Sequence, residues 1–373
     1  MHITLLHNAD ADALEEDPGR EARADVERVA GKLLAALEGK GFGVAVIPVG
    51  KDPLAIVPLL RSRSTDLVLN LCESVGGDAR GEMAMPSLLD LLRLPYSGSP
   101  ALALGLALHK DKAKELLLAR GVPTPGFRTV ERLSDLEGLE LPFPLIVKPS
   151  REDASVGVDF DSVCHDGRSL REAVRKVLRT FHQPALVERF IPGREVYVSL
   201  LGNTPRVALP LSEIRFGGAF EGRPNIVSYR AKWETDSPEC VDSPSVPCAL
   251  PREVEARVVD AALAAFDALG CRDYGRVDLR LTEDGQPWVI DINPNCDLHP
   301  QAGFAKSAAA AGLEYSALAL RLVEVALERT HGHPSRRPGR QGRPRHAAGP
   351  HRELLTRRGS VRARGHRPGV AAE

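Results

Sequence analysis

Short apolar runs and longer helical repeats alternate along the first hundred residues. Largely apolar runs at residues 3–6, 44–49 and 67–71 predict strands. Between the first two, Val26, Val29, Ala30, Leu33, Leu34 and Leu37 recur at helical spacing, and Gly39 and Gly41 stop the pattern. Strand–helix–strand order with strands apolar on both faces predicts an α/β fold that opens on a parallel sheet covered by helices, over residues 1–105.

The pattern then changes. Residues 110–119 predict a helix with a charged face, stopped by Gly121 and Pro123. A strand at 145–147 and a helix at 169–180 complete a small α+β unit over 106–183. Residues 184–330 open with strands at 185–190 and 195–201 on either side of Pro192-Gly193. They continue through a helix at 252–269, apolar at Val254, Val258, Ala262 and Phe266, and close with a helix at 315–328. From 331 to 373 periodicity disappears, and Arg, Pro, Gly and His dominate, which predicts a disordered basic tail.

Between 274 and 295 two strand-like runs flank Glu283-Asp284-Gly285. With Asp284 and Gly285 in a two-residue turn, Val277 opposes Ile292, Leu279 opposes Ile290 and Leu281 opposes Trp288. The other face then carries Arg276 opposite Asn293 and Asp278 opposite Asp291. Opposed residues have Cβ atoms only ~5 Å apart, where two like charges are destabilising without a cation between them. Hard oxygen ligands in this array suit Mg²⁺, with Mn²⁺ as an alternative. The competing expectation is a solvent-facing sheet surface on which Arg276 neutralises Asp278.

The formal net charge of −1 conceals an asymmetry. The tail carries eleven arginines against two glutamates, so the body before it is acidic. An acidic body argues against nucleic acid as partner. Six scattered cysteines without a C-x-x-C pair argue for free thiols in a reducing compartment. With no apolar run of membrane-spanning length, no membrane partner is expected and a cytoplasmic location is.

Arg276-Val277-Asp278 followed by Asp291-Ile292-Asn293 resembles the metal-binding end of the ATP-grasp superfamily, in its D-alanine–D-alanine ligase branch. The likeness runs in order through Tyr96-Ser97-Gly98-Ser99, Lys110-Asp111-Lys112-Ala113-Lys114, Gly121-Val122-Pro123-Thr124-Pro125, Ile146-Val147-Lys148-Pro149, Ser155-Val156-Gly157 and the stretch from Val187 to Glu195. It implies a three-domain fold and an ATP-dependent ligase that joins a small-molecule carboxylate to an amine, with a homodimer among the allowed assemblies. By that resemblance Lys110 and Lys148 reach ATP phosphates, and the loop with Ser155 and Gly157 covers them. Glu188 and Glu195 serve the adenine and ribose sides. Asp278, Asp291 and Asn293 bind metal. Arg276 stabilises the oxyanion, and Lys232 on a mobile loop meets the γ-phosphate.

The departures fall on the substrate side. Where the dipeptide ligases carry a glutamate, a flap serine and a loop tyrosine, this chain aligns Asp25, Ala154 and Trp233. Glu73 lies in a loop that replaces the usual His-Gly-Gly, Asp297 takes a glycine's place, and Ala302 a serine's. His299 is a candidate general base, and Asp297 and Glu73 are candidate holders of a cationic substrate. Several readings stay open: a ligase with a rebuilt acceptor pocket, a true D-alanine–D-alanine ligase, a nucleotide-binding regulator without turnover, and a small-molecule kinase.

Overall fold

The computed structural model describes residues 1–10 and 20–331, and the expected basic tail lies outside them. The N-terminal sheet has β1 (His2–Asn8) at its centre. Helix α1 (Arg20–Glu38) crosses to β2 (Gly43–Val49), and α2 (Val57–Ser62) leads to β3 (Leu67–Asn70). The order is β2-β1-β3, and both pairings are parallel, as the doubly apolar strands predict. Helices α3 (Ala84–Leu92) and α4 (Ala101–Leu108) lead out of it.

Helix α5 (Lys110–Ala119) precedes an antiparallel sheet of β4 (Phe127–Val130), β5 (Leu145–Pro149) and β6 (Val163–Cys164). After α6 (Gly167–Thr180), β7 (Ala185–Arg189) inserts between β4 and β5, giving the order β4-β7-β5-β6. Strand β7, expected to belong with residues 184–330, is placed by its hydrogen bonds in the central sheet instead. The chain leaves that sheet at Gly193. Its φ of +128° and the Leu281 carbonyl oxygen, 2.1 Å from where a Cβ would sit, admit only glycine.

A third sheet follows. It contains β8 (Arg194–Leu201), β9 (Val207–Ala208) and β10 (Ser212–Ile214). After α7 (Tyr229–Trp233) and α8 (Pro238–Val241) come β11 (Ser245–Pro247), the long α9 (Arg252–Ala268), β12 (Tyr274–Leu281) and β13 (Pro287–Asn293). The main path runs β11-β10-β8-β12-β13, with β9 beside β8. Apolar faces of α9 and this sheet share a core of Val258, Ala262, Phe266, Val277 and Leu279. Helices α10 (Gly303–Ala310) and α11 (Tyr315–His331) end the described chain.

Two expectations are corrected. The hairpin loop has three residues, because Thr282 N–H donates to Gln286 and Gly285 N–H to Thr282. Leu279, Arg280 and Leu281 therefore oppose Val289, Trp288 and Pro287. A bulge after Asp278 takes up one extra residue, Ile290, and restores Asp278 opposite Asp291 and Arg276 opposite Asn293. Second, α11 does not close residues 184–330 alone. Its Leu318, Leu322, Val325 and Ala326 join a core shared by α1 and the N-terminal sheet, through Leu5, Leu33 and Leu69, and by Leu201 and Tyr274 of the third sheet. No helix among the described residues is long and apolar enough to cross a membrane.

Asp273 ties these layers together. It is fully buried, with φ +65°. It accepts hydrogen bonds from Gly98 N–H at 2.9 Å, Asn203 Nδ2 at 2.9 Å and Arg329 of α11 at 3.1 Å. Asp273→Ala strands those donors and puts alanine in the left-handed region, so urea unfolding should show a loss of roughly 1–3 kcal/mol. Asp273→Asn keeps one acceptor oxygen and tolerates the backbone, so its loss should be smaller; equal losses for both variants would sink this account.

Candidate active site

The ends of β12 and β13 present the acidic pair. Arg276 grips Asp278 with two bonds, Nε at 2.6 Å and Nη2 at 2.7 Å, and Asn293 Nδ2 donates to the same carboxylate at 3.2 Å. The guanidinium also stacks over Tyr197, 4.4 Å from its centroid. Asp291 takes a different cation. Lys110, the first residue of α5, lies 3.0 Å from Asp291 and 2.9 Å from Asp153. Burial works against the Lys110 charge, but Asp153 and Asp291 outweigh it and raise its pKa. Burial likewise pushes the Asp291 carboxyl up, while Lys110 and Lys148 draw it below its usual range.

One of the two competing expectations for this face is met in part. Arg276 does neutralise Asp278, but the two side chains are only 12% and 11% exposed and line a cavity. Among the described residues no group of three His, Cys, Asp or Glu side chains converges on a point that could hold a metal ion. Two carboxylates and an amide are hard oxygen donors, a set that fits a Mg²⁺ bringing phosphate and water for the rest of its shell. They do not make a complete protein cage.

Two adjoining cavities meet at this point. The larger, about 730 Å³, has Lys110, Lys148, Ser155, Glu188, Glu195, Asp278, Asp291 and His299 on its walls. The smaller, about 100 Å³, reaches Glu73 and Glu82. Asp25, Lys232, Trp233, Arg276, Asn293 and Asp297 line both. Only the larger has room for a nucleotide. Gly157 is on neither wall: its α-carbon packs against Pro149 and Phe181, where a Cβ would lie 2.6 and 2.7 Å from side-chain atoms.

The loop of residues 152–157 is held at three points. Glu152 accepts from Gln183 Nε2, Asp153 pairs with Lys110, and the Ala154 carbonyl accepts from the Trp233 indole at 3.0 Å. Ala154 and Ser155 both have positive φ, a strained conformation that these contacts must hold. The Lys232 ammonium lies 5.2 Å from the Trp233 ring centroid. Burial and Arg276 lower its pKa, against the support of Asp297 and Glu73.

Glu73 is set by a buried bracket. Asp10 accepts from Ser74 Oγ at 2.9 Å and Gly77 N–H at 2.8 Å, and Asn8 Oδ1 accepts the Glu73 N–H. Burial, then Asp297, pushes the Glu73 carboxyl up to about 8. Burial and Asp297 also raise Asp25, offset by Arg28 and His299. His299 Nδ1 accepts the Gln301 N–H, so in its neutral form the proton sits on Nε2.

Several residues that shape the site are not marked by sequence pattern. Arg280 bonds Glu195 at 3.1 Å and the carbonyls of Ile191, Gly193 and Asn225, fixing the turn between β7 and β8. Tyr197 OH donates to the other Glu195 oxygen at 2.9 Å. Burial raises the Glu195 carboxyl despite both. Glu82 is buried and accepts from Asn295. The period-two spacing of Arg276, Asp278 and Arg280 was the one available signal for Arg280.

Comparison with known proteins finds relatives for the chain. A family model described as D-ala D-ala ligase C-terminus matches residues 116–324. The chain is 33% identical over 314 residues to an uncharacterized protein of Sinorhizobium fredii, covering 82% of this chain and 89% of that one. It is 32% identical over 329 residues to a D-alanine–D-alanine ligase of Synechococcus sp., covering 86% and 94%. The fold matches a crystal structure of the Bacillus anthracis D-alanine–D-alanine ligase complexed with ATP, with TM-score 0.71 at 23% identity, over 89% of this chain and 99% of that one.

Two measurements test the site. Asp278→Asn and Asp291→Asn should each weaken magnesium-dependent ATP binding at least about 10²-fold while far-UV circular dichroism is unchanged; unaltered binding in either variant removes it from the metal set. For Glu73, the folded value near 8 stands above the unfolded 4.5. The stability it allows is complete below pH 4.5 and drains away as pH rises to 8. Glu73→Gln should therefore melt increasingly above the native protein between pH 5 and 8, and a difference constant across that window contradicts the burial argument.

Proposed function

The chain belongs to the D-alanine–D-alanine ligase family of the ATP-grasp superfamily, and from that we propose that it is an ATP- and magnesium-dependent ligase acting on an amino-acid or small-peptide pair other than two D-alanines. In the overall reaction a substrate carboxylate oxygen attacks the γ-phosphorus, the bond to the bridging oxygen breaks, and ADP leaves. The amine then attacks the acyl phosphate carbon, loses a proton, and displaces phosphate to give the amide.

Each step has residues suited to it. Lys110 and Lys148 are point charges for the phosphates on the wall of the large cavity. Asp278, Asp291 and Asn293 would hold magnesium, which supplies neutralisation of phosphate charge. Arg276 sits where both cavities meet and suits the oxyanion of the tetrahedral intermediate. Lys232, on the same shared wall, suits the γ-phosphoryl group. The cavity lies between the central sheet, which carries Lys148 and Glu188, and the third sheet, which carries Glu195, Asp278 and Asp291, and a cytoplasmic enzyme of small molecules, alone or as a homodimer, fits this chemistry.

One observation carries the choice of substrate. Asp25, Ala154 and Trp233, aligned with the family's glutamate, serine and tyrosine, share the cavity wall, and Trp233 bonds the backbone of Ala154. The position pattern of the substrate set is thus kept, while its hydroxyl groups are gone. A second reading, a true D-alanine–D-alanine ligase, is favoured by relatives bearing that name. Each lost hydrogen bond to a charged substrate group is worth roughly 1.5–3 kcal/mol. D-alanine alone at millimolar concentration should then release phosphate at least about 10²-fold more slowly than the best pair in an amino-acid screen. Fast, D-alanine-only dipeptide formation would establish the second reading.

A further inference from the structure

Lys114 lies one helical turn beyond Lys110 on α5 but lines neither cavity. Its Nζ is 2.8 Å from Glu188 Oε2, and both side chains are 3% exposed. The same ammonium donates to Thr124 Oγ1 at 2.7 Å, and Thr124 donates in turn to the Val289 carbonyl on β13. Lys148, on the cavity wall, reaches that same Glu188 oxygen at 3.5 Å. Oε2 is buried and accepts no well-aligned hydrogen bond. Two ammonium groups therefore compete for one buried carboxylate oxygen, and the nearer holds it.

We propose that Lys114 is a positioning residue: by engaging Glu188 it leaves the Lys148 ammonium free to turn to the phosphates of a nucleotide in the large cavity. The inference rests on the nucleotide reading of that cavity. A buried carboxylate must keep a counter-charge. Attraction falls with distance, and 3.5 Å is already the limit of a useful hydrogen bond. With Lys114 in place, Lys148 is dispensable to Glu188. Without it, Lys148 is the remaining cation in contact among the described residues, and Glu188 draws it away from the cavity. Burial pulls the Lys114 ammonium down to about 8, with Glu188 holding it up and Lys148 pressing it down. Its charge at neutral pH is thus sustained by the carboxylate it holds.

The test is a calorimetric titration of the full chain with Mg–ATP, without carboxylate or amine substrate, on Lys114→Met, Glu188→Gln and the double variant. Lys114→Met should bind roughly 10- to 100-fold more weakly than the native protein, the loss of one charge-assisted phosphate contact. The double variant should recover to within about twofold of Glu188→Gln, because no carboxylate is left to capture Lys148. A merely structural ion pair would lower the melting temperature without that recovery. Native-like binding by Lys114→Met overturns the proposal. So does a double variant that binds more weakly than Glu188→Gln, since Lys114 would then act by a contact of its own; this comparison stands even if Lys114→Met alone does not fold. If the native chain fails to bind Mg–ATP, the nucleotide reading falls first, and the inference with it.

Discussion

Asp278 and Asp291 face each other across hydrogen-bonded strands on the wall of the large cavity, and that opposition constrains everything around them. Neither carboxylate can stand there without a cation. Arg276 answers Asp278 from two residues away on the same strand, and Lys110 answers Asp291 from the start of α5. The pair of contacts draws α5 onto the third sheet and, through Asp153, draws the loop of residues 152–157 over the cavity. Glu188 is neutralised in the same way, by Lys114 at 2.8 Å with Lys148 farther off at 3.5 Å. Acids and bases alternate through the site, so a ligand bringing phosphate and a divalent cation can exchange partners with it without leaving a buried charge unpaired.

This alternation explains which parts were legible beforehand. The helices and apolar strands followed from spacing alone, because each buries a continuous stripe or run. The hairpin was read correctly at its functional end for an incomplete reason. A three-residue loop shifts the register by one residue, and the bulge at Ile290 shifts it back. Sequence pattern registers the sum of two irregularities, and here they cancel. The cancellation matters, since a slip of one residue would move Asp278 and Asp291 out of opposition. The bulge also turns Ile290 into the wall of the large cavity. The place of α11 was not legible, because an apolar stripe states that a helix is buried and not against which sheet.

The missed residues share a feature. Lys114, Arg280 and Glu82 touch other functional side chains more than they touch open cavity, and each finds its partner far away in sequence. A charged residue in a helix reads as solvated unless the fold is known to bury it. Lys114 was visible only as the end of a lysine-rich helix start, and the depth that separates it from Lys112 is a property of packing. The packing beside Gly157 was equally hidden: the sequence does not show that Pro149 and Phe181 fill the space next to its α-carbon.

At two positions of the proposed substrate corner, 73 and 154, the side chain is not what holds the backbone. Glu73 projects from a loop secured by Asp10, Ser74, Gly77 and Asn8, so the identity at 73 bears little on the loop's path. Ala154 meets Trp233 through its carbonyl, a contact indifferent to the side chain at 154. Asp297 fixes the backbone at His299 while still lining the cavity. The phosphate side has no such freedom. Lys110, Arg276, Asp278 and Asp291 are at once the scaffold's buried ion pairs and the groups suited to the chemistry, so changing one of them leaves a charge without its partner. A fold arranged this way can change what it joins far more readily than how it activates it.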